Sequence, residues 1–267
     1  MRLKNKIALI TGASAGIGEG VARELARRGA HLALLARRVD RLDALAGELR
    51  SGGTRVVVCR ADVAQDGDLE AAVAATHAEL GRIDIAVANA GMGIIGSMMS
   101  LTLDDFRRQM DTNLYGVLRT FIATRDDLKA QAGVLAVVGS VNGYLSLSGG
   151  GAYAMSKFAV RGFCDALRPE VREQGITVTH IIPGLIATEI RRIDNRGVLR
   201  TDRKDPAPPF LTMSVRDAAQ EIVEAISEHE AERILTGHGK LAVFLARHTP
   251  GLLDAIIRAA GVNAKRS

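Results

Sequence analysis

The fold is decided by one stretch near the start of the chain, Ile7-Ala8-Leu9-Ile10-Thr11-Gly12-Ala13-Ser14-Ala15-Gly16-Ile17-Gly18. A short apolar run ends at Thr11-Gly12, and a pattern with apolar positions three and four residues apart then runs from Ile17 to Arg28. Such a change of period marks a buried strand, a glycine-rich turn and a helix. Glycines there permit unusual backbone angles and close approach of a ligand. The free N–H groups and positive end of the helix attract a phosphate.

Outward from this unit the alternation repeats. Leu32–Leu35, Val56–Val58, Ile85–Ala88, Leu135–Val138 and Thr177–Ile182 read as further buried strands. Between them Asp40–Arg50, Asp66–Leu80, Leu103–Ala130, Ala152–Glu173 and Val215–Glu228 carry helical periodicity, and Pro169 predicts a kink or restart in the fifth helix. Strand and helix taking turns predict a single α/β domain over 1–267. It is a Rossmann-type, doubly wound parallel sheet of about seven strands with helices on both faces.

In that setting the turn reads as a dinucleotide site, although its spacing, Gly-x3-Gly-x-Gly, differs from the Gly-x-Gly-x2-Gly of the usual fingerprint; the alternative is an ordinary glycine-rich turn. The second strand ends in Leu35-Ala36-Arg37-Arg38, where an NAD site wants a carboxylate for the ribose hydroxyl. Two arginines instead offer forked, charge-assisted bonds to a 2′-phosphate, which favours NADP(H). The alternative is that both arginines solvate a loop.

Tyr153-Ala154-Met155-Ser156-Lys157 places a phenol and an ammonium four residues apart, on one face if the segment is helical. Lowering a phenol's pKa by about three units takes roughly 4 kcal/mol. One positive charge at about 4 Å in an effective dielectric near 20 supplies a similar amount. Tyr-x3-Lys alone is a common pattern. Ser140, closing the fifth strand at the carboxyl edge of the sheet, gives it company, with a turn-forming serine as the alternative.

Together these residues resemble the short-chain dehydrogenase/reductase family, in order from Lys6 to about Ile226. The resemblance implies that Gly12, Ser14, Gly16, Ile17 and Gly18 hold the cofactor phosphates and that Asp62-Val63 touch adenine. Asn89-Ala90-Gly91 would support the sheet and the cofactor ribose. Pro183, Gly184, Ile186 and Thr188 would hold the nicotinamide carboxamide, Ile186 through its backbone N–H. The family's catalytic tetrad falls on Asn113, Ser140, Tyr153 and Lys157, with Asn113 anchoring a water that links Lys157 to solvent. Ala15 departs from the basic residue that many NADP-preferring members carry before the second glycine, so the NADP(H) expectation rests on Arg37, with Arg38 in support.

The expected activity is therefore interconversion of a ketone and a secondary alcohol with NADP(H). The other readings are a non-catalytic NADP sensor, or an epimerase or dehydratase on the same scaffold. Residues 187–213, rich in arginine and proline, read as a substrate lid, and 239–262 as a C-terminal helical extension. An apolar slot is expected from Met92, Ile94, Ile95, Met98 and Met99, from Tyr144, Leu145 and Leu147, and from Leu185, Ile190 and Phe210 of the lid. It suits an apolar carbonyl or alcohol substrate.

Composition narrows the remaining classes. A net charge of +5 without aromatic-interleaved basic tracts argues against nucleic acid. Two distant cysteines, Cys59 and Cys164, and six histidines without ligand spacing suggest neither a disulfide framework nor a metal. The apolar run Ile7–Ile10 is too short for a signal peptide, and no run approaches a membrane span, so a cytoplasmic protein is expected. Peripheral membrane contact through the C-terminal helix is an open alternative to packing, and the family resemblance implies a homodimer or homotetramer.

Overall fold

The computed structural model describes residues 1–202, 204–205 and 207–259. Arg203 and Pro206 of the expected lid, and 260–262 of the expected C-terminal extension, lie outside the described residues.

Seven strands, β1 Ile7–Thr11, β2 His31–Ala36, β3 Val56–Arg60, β4 Ile85–Ala88, β5 Val134–Val138, β6 Thr177–Ile182 and β7 Glu232–Ile234, form one sheet in the order β3-β2-β1-β4-β5-β6-β7. Every pairing is parallel. The six apolar runs recognised in the sequence each become a strand. The seventh, Glu-Arg-Ile, is three residues long and half-buried, so it carries no apolar run to betray it.

The helices are α1 Gly16–Arg27, α2 Val39–Ser51, α3 Asp68–Glu79, α4 Leu103–Met110, α5 Gly116–Ala130, α6 Gly151–Arg172, α7 Val215–Ser227, α8 Gly237–His248 and α9 Pro250–Ala259. On one face Val21, Leu25, Leu42, Leu45 and Ile222 of α1, α2 and α7 pack on Ala8 and Ile10 of β1 and on Val134 of β5. On the other, Leu69 of α3 meets Leu9 and Leu35, while Val117, Leu128 and Val160 of α5 and α6 meet Leu135 and Val137. Neighbouring residues of β1 thus enter opposite layers, which is why a doubly covered strand reads as continuously apolar.

Two helical expectations are corrected. The span expected as one helix, Leu103–Ala130, is interrupted by a wide π turn over Asp111–Tyr115, which carries Asn113. Gly116 follows it because Val63 packs there: an added Cβ would stand 2.6 Å from the Val63 side chain. Pro169 does not restart its helix, since α6 runs on to Arg172. Leu167 and Val171 on either side of it are buried in the core, and that packing outweighs one lost backbone bond.

Candidate active site

Chain order in the sheet reverses between β1 and β4, so a crevice opens at their carboxyl ends, the place where open α/β sheets take ligands. The two strand ends are pinned together there. The Thr11 hydroxyl oxygen accepts from the N–H groups of Asn89 and Ala90 at 3.0 and 3.1 Å, and the Asn89 amide donates to the carbonyls of Thr11 and Gly12. Asn89-Ala90-Gly91 therefore supports the sheet, as expected for that motif.

The glycine-rich turn has the shape a pyrophosphate needs. Gly12 sits at φ +66°, and a Cβ on Gly18 would lie 2.4 Å from the Gly12 carbonyl oxygen and 2.5 Å from the Asn89 amide nitrogen. Ala15 gives α1 no side-chain cap, so the helix presents its first N–H groups to the crevice. Gly16 lies against Thr188, whose methyl carbon would be 3.1 Å from an added Cβ. The turn thus has the cradle that a nucleotide's phosphates fit.

At the outer rim Arg37 is largely exposed and stands 3.6 Å from the Asp62 carboxylate. Arg38 leans inward instead, donating to the Ser14 hydroxyl at 3.3 and 3.2 Å. Val63 is buried beneath the π turn, and the Asp62 carboxylate accepts from the N–H of Ala64. Arg41, in the first turn of α2, and Glu189, in the lid, also reach this rim, and neither was singled out in the sequence. Their meeting depends on a contact across 148 residues, for which no local pattern exists.

Tyr153, Lys157, Ser140 and Asn113 do converge. Tyr153 and Lys157 occupy successive turns of α6, and the Ser140 side chain, whose hydroxyl oxygen accepts from Asn142 N–H at 3.1 Å, is near enough to the Tyr153 phenol to pull its pKa down. The Lys157 ammonium donates to the Val138 carbonyl at 2.8 Å and lies 5.7 Å from the centre of the Tyr153 ring. The Asn113 carboxamide is fully engaged, accepting from Met92 N–H at 2.9 Å and donating to the Met92 carbonyl and the Ser156 hydroxyl, both at 3.0 Å. Gln109, which the sequence did not flag, holds the same segment by accepting from Ile94 N–H and donating to the Met92 carbonyl.

Lys157 together with oxidised nicotinamide is expected to make the phenol acidic; without the nucleotide, burial pushes Tyr153 above its ordinary range, against the opposing pull of the Ser140 side chain and the Arg191 charge. Burial also brings the Lys157 ammonium down to about 8. A desolvated phenol beside a desolvated ammonium keeps its proton at neutral pH. Arg191, in the segment after β6 and held by Asp205 at 2.7 and 2.6 Å, is thus a charge felt at Tyr153.

After β6, the Pro183 carbonyl accepts from Val141 N–H at 3.0 Å, and Gly184 is packed so tightly that a Cβ would meet the Thr236 hydroxyl at 2.3 Å. Ile186 is buried and bridges Met213, joining the two ends of the 187–213 segment. Of the expected slot, Met98 and Leu147 line a cavity of about 420 Å³ with Ser97, Ser146, Gly149 and Gly151. Ile94 is fully buried. Tyr144 is not a lining residue: its hydroxyl donates to Glu232 at 2.7 Å and accepts from Arg247 at 2.8 Å, and burial raises its pKa. Its ring lies beneath the guanidinium groups of Arg161 and Arg247, which fastens α8 to the site.

Residues 6–198 match the short chain dehydrogenase family. The chain belongs to that family. It is an NAD(P)-dependent oxidoreductase of a family that acts on small molecules. Over 247 residues this family member is 36% identical to the oxidoreductase UcpA of Salmonella typhimurium, covering 92% of this chain and 89% of that one. It is 36% identical over 229 residues to the glycine betaine reductase ATRR of Emericella nidulans, covering 85% of this chain but 18% of that much longer protein. Among solved structures, an alcohol dehydrogenase from Thermococcus sibiricus complexed with 5-hydroxy-NADP is similar at 30% identity and a TM-score of 0.75, over 86% of this chain and 96% of that one. No helix among the described residues is long and apolar enough to cross a membrane.

Proposed function

We propose that the protein is an NADP(H)-dependent reductase that interconverts an apolar ketone and its secondary alcohol, with Tyr153 as proton donor and acceptor. The observation that carries this reading is the placement of the Tyr153 ring 5.7 Å from the buried Lys157 ammonium, with Ser140 near enough to act on the phenol. Ser140 orients the carbonyl oxygen of the substrate, and Tyr153 delivers its proton to that oxygen. Lys157 steadies the phenolate that remains. The nicotinamide nucleotide, when bound, supplies the hydride that goes to the carbonyl carbon. A phenol that burial keeps protonated is ready to donate, so the free protein is set for reduction. Oxidation needs the phenolate, and hence more positive charge than Lys157 alone provides.

Gly12, Ser14, Gly16, Ile17 and Gly18 hold the phosphates, and Asn89, Gly91 and Thr188 border the ribose and nicotinamide ends. The preference for NADP(H) is supported by Arg38 on Ser14, by Arg41 and Arg37 beside it, and by the NADP derivative in the Thermococcus relative. Met98 and Leu147, the apolar side chains of a cavity otherwise lined by serines and glycines, support an apolar substrate, and residues 187–213 act as its lid. Exposed Leu103, Tyr115, Ile122, Met155 and Phe158 on α4, the π turn, α5 and α6 support a homodimer or homotetramer, which sizing in solution checks.

Tyr153→Phe tests the mechanism. It should keep nucleotide binding and lower reductive turnover by at least about 10²-fold, the low end of acid–base contributions. Turnover near that of the wild type would remove Tyr153 from the chemistry.

A further inference from the structure

Four residues from separate parts of the chain meet where the phosphate turn faces the lid. Ser14 belongs to the turn, Arg38 follows β2, Arg41 opens α2 and Glu189 begins the lid. Arg38 is bonded to the Ser14 hydroxyl, and the Glu189 carboxylate takes the remaining faces: it accepts from Arg41 at 2.9 Å and from Arg38 at 3.5 Å. Burial works against the charge on Glu189, but the hydrogen bond from Arg41 and the charges of both arginines outweigh it and hold the carboxyl below its ordinary range. A cavity of about 970 Å³, lined by Gly16, Arg41, Thr188 and Glu189 among others, opens directly beside the pair. The lid therefore places an anion on the guanidinium groups nearest the phosphate turn.

We propose that Glu189 sets the cofactor preference of this enzyme by occupying, in the free protein, the faces of Arg38 and Arg41 that a nucleotide 2′-phosphate takes on binding. The inference rests on the NADP(H) reading given above. A 2′-phosphate competes for the same forked donors as a carboxylate and is repelled by it, whereas a 2′-hydroxyl is neutral and does not compete. Glu189 thus weakens NADP(H) selectively and leaves NAD(H) untouched. Discrimination between the two nucleotides is then smaller than the arginines alone would give.

Glu189→Gln removes the charge and keeps the length of the side chain. Calorimetric titration with 2′,5′-ADP and with 5′-AMP reads the 2′-phosphate alone and needs no catalysis. The variant should bind 2′,5′-ADP about threefold to tenfold tighter, the worth of a partly exposed ion pair, with 5′-AMP unchanged. The selectivity ratio separates the two ideas. Preference for 2′,5′-ADP in the wild type that does not grow in Glu189→Gln overturns the role of Glu189 and leaves the NADP(H) reading standing. A preference that emerges only in the variant supports the role of Glu189 and overturns NADP(H) as the wild-type cofactor of choice. No preference in either protein overturns both, and an equal gain for both nucleotides reduces Glu189 to a brace of the lid and overturns its role in selectivity.

Discussion

The two sides of the crevice are held by different forces. On the side of α6, Asn113, Gln109 and Lys157 are buried and bonded to backbone groups of Met92, Ile94 and Val138. On the side of the lid, Glu189 and Asp205 are held by Arg38, Arg41 and Arg191 in ion pairs that remain partly exposed. Buried, geometrically complete networks fix a position, because leaving any member unpaired is costly. Exposed pairs set only a resting arrangement, which salt or a competing anion can replace. In the proposed mechanism the reacting atoms, which must be in register, sit on the first side, and the segment proposed to admit a ligand sits on the second.

This contrast breaks most directly at Asn113. Asn113→Ala should lower unfolding free energy by about 2–4 kcal/mol, since it strands Met92 N–H and frees the π turn from α6. An unchanged urea midpoint would show that the network does not anchor this side. Next in size is the response to pH. Lys157 is charged below about 8 and neutral above it, because burial lowers its pKa, while the Tyr153 phenol, raised by burial, stays protonated through the same window. Reductive kcat/KM should therefore hold below pH about 8 and fall up to about tenfold per unit above it. A flat profile across that value would remove the Lys157 charge from the reaction.

Tyr144→Phe should cost about 1–2 kcal/mol in thermal or urea unfolding, because the Glu232 carboxylate loses a donor and the Arg247 guanidinium an acceptor, while the Arg247–Glu232 ion pair remains. Asp205→Asn, on the lid, should cost less than about 1 kcal/mol of stability. Its effect should appear as a raised substrate KM that added salt reproduces in the wild type. If Asp205→Asn destabilised the protein as much as Asn113→Ala, the two sides would be equally rigid and the contrast would fail.

Much of this molecule was legible in order along the chain. Short continuous apolar runs and apolar positions three and four apart gave six strands and most helices, since burial on both sheet faces or along a helix stripe leaves a local signature. Tyr153 and Lys157 were legible because four residues make one helical turn. The π turn at Asn113 was not, because a single extra residue in a helix leaves the apolar stripe almost unchanged. Tyr144 was misplaced into the substrate slot because a tyrosine near a turn looks alike whether its hydroxyl faces a ligand or a buried carboxylate. Glu232 and Arg247, which decide the matter, lie 88 and 103 residues away.

Taken alone, the sequence determined the alternating strands and helices, the glycine-rich turn and the spacing of Tyr153 and Lys157, all of which are set by neighbours within a few residues. Tertiary structure alone decided that burial would raise the Tyr153 phenol in the free protein, that Arg38 and not Arg37 would lean on Ser14, and that the Glu189 carboxylate would settle on Arg41. Charge and desolvation act through space, and the groups that supply them here are brought together only when the sheet closes.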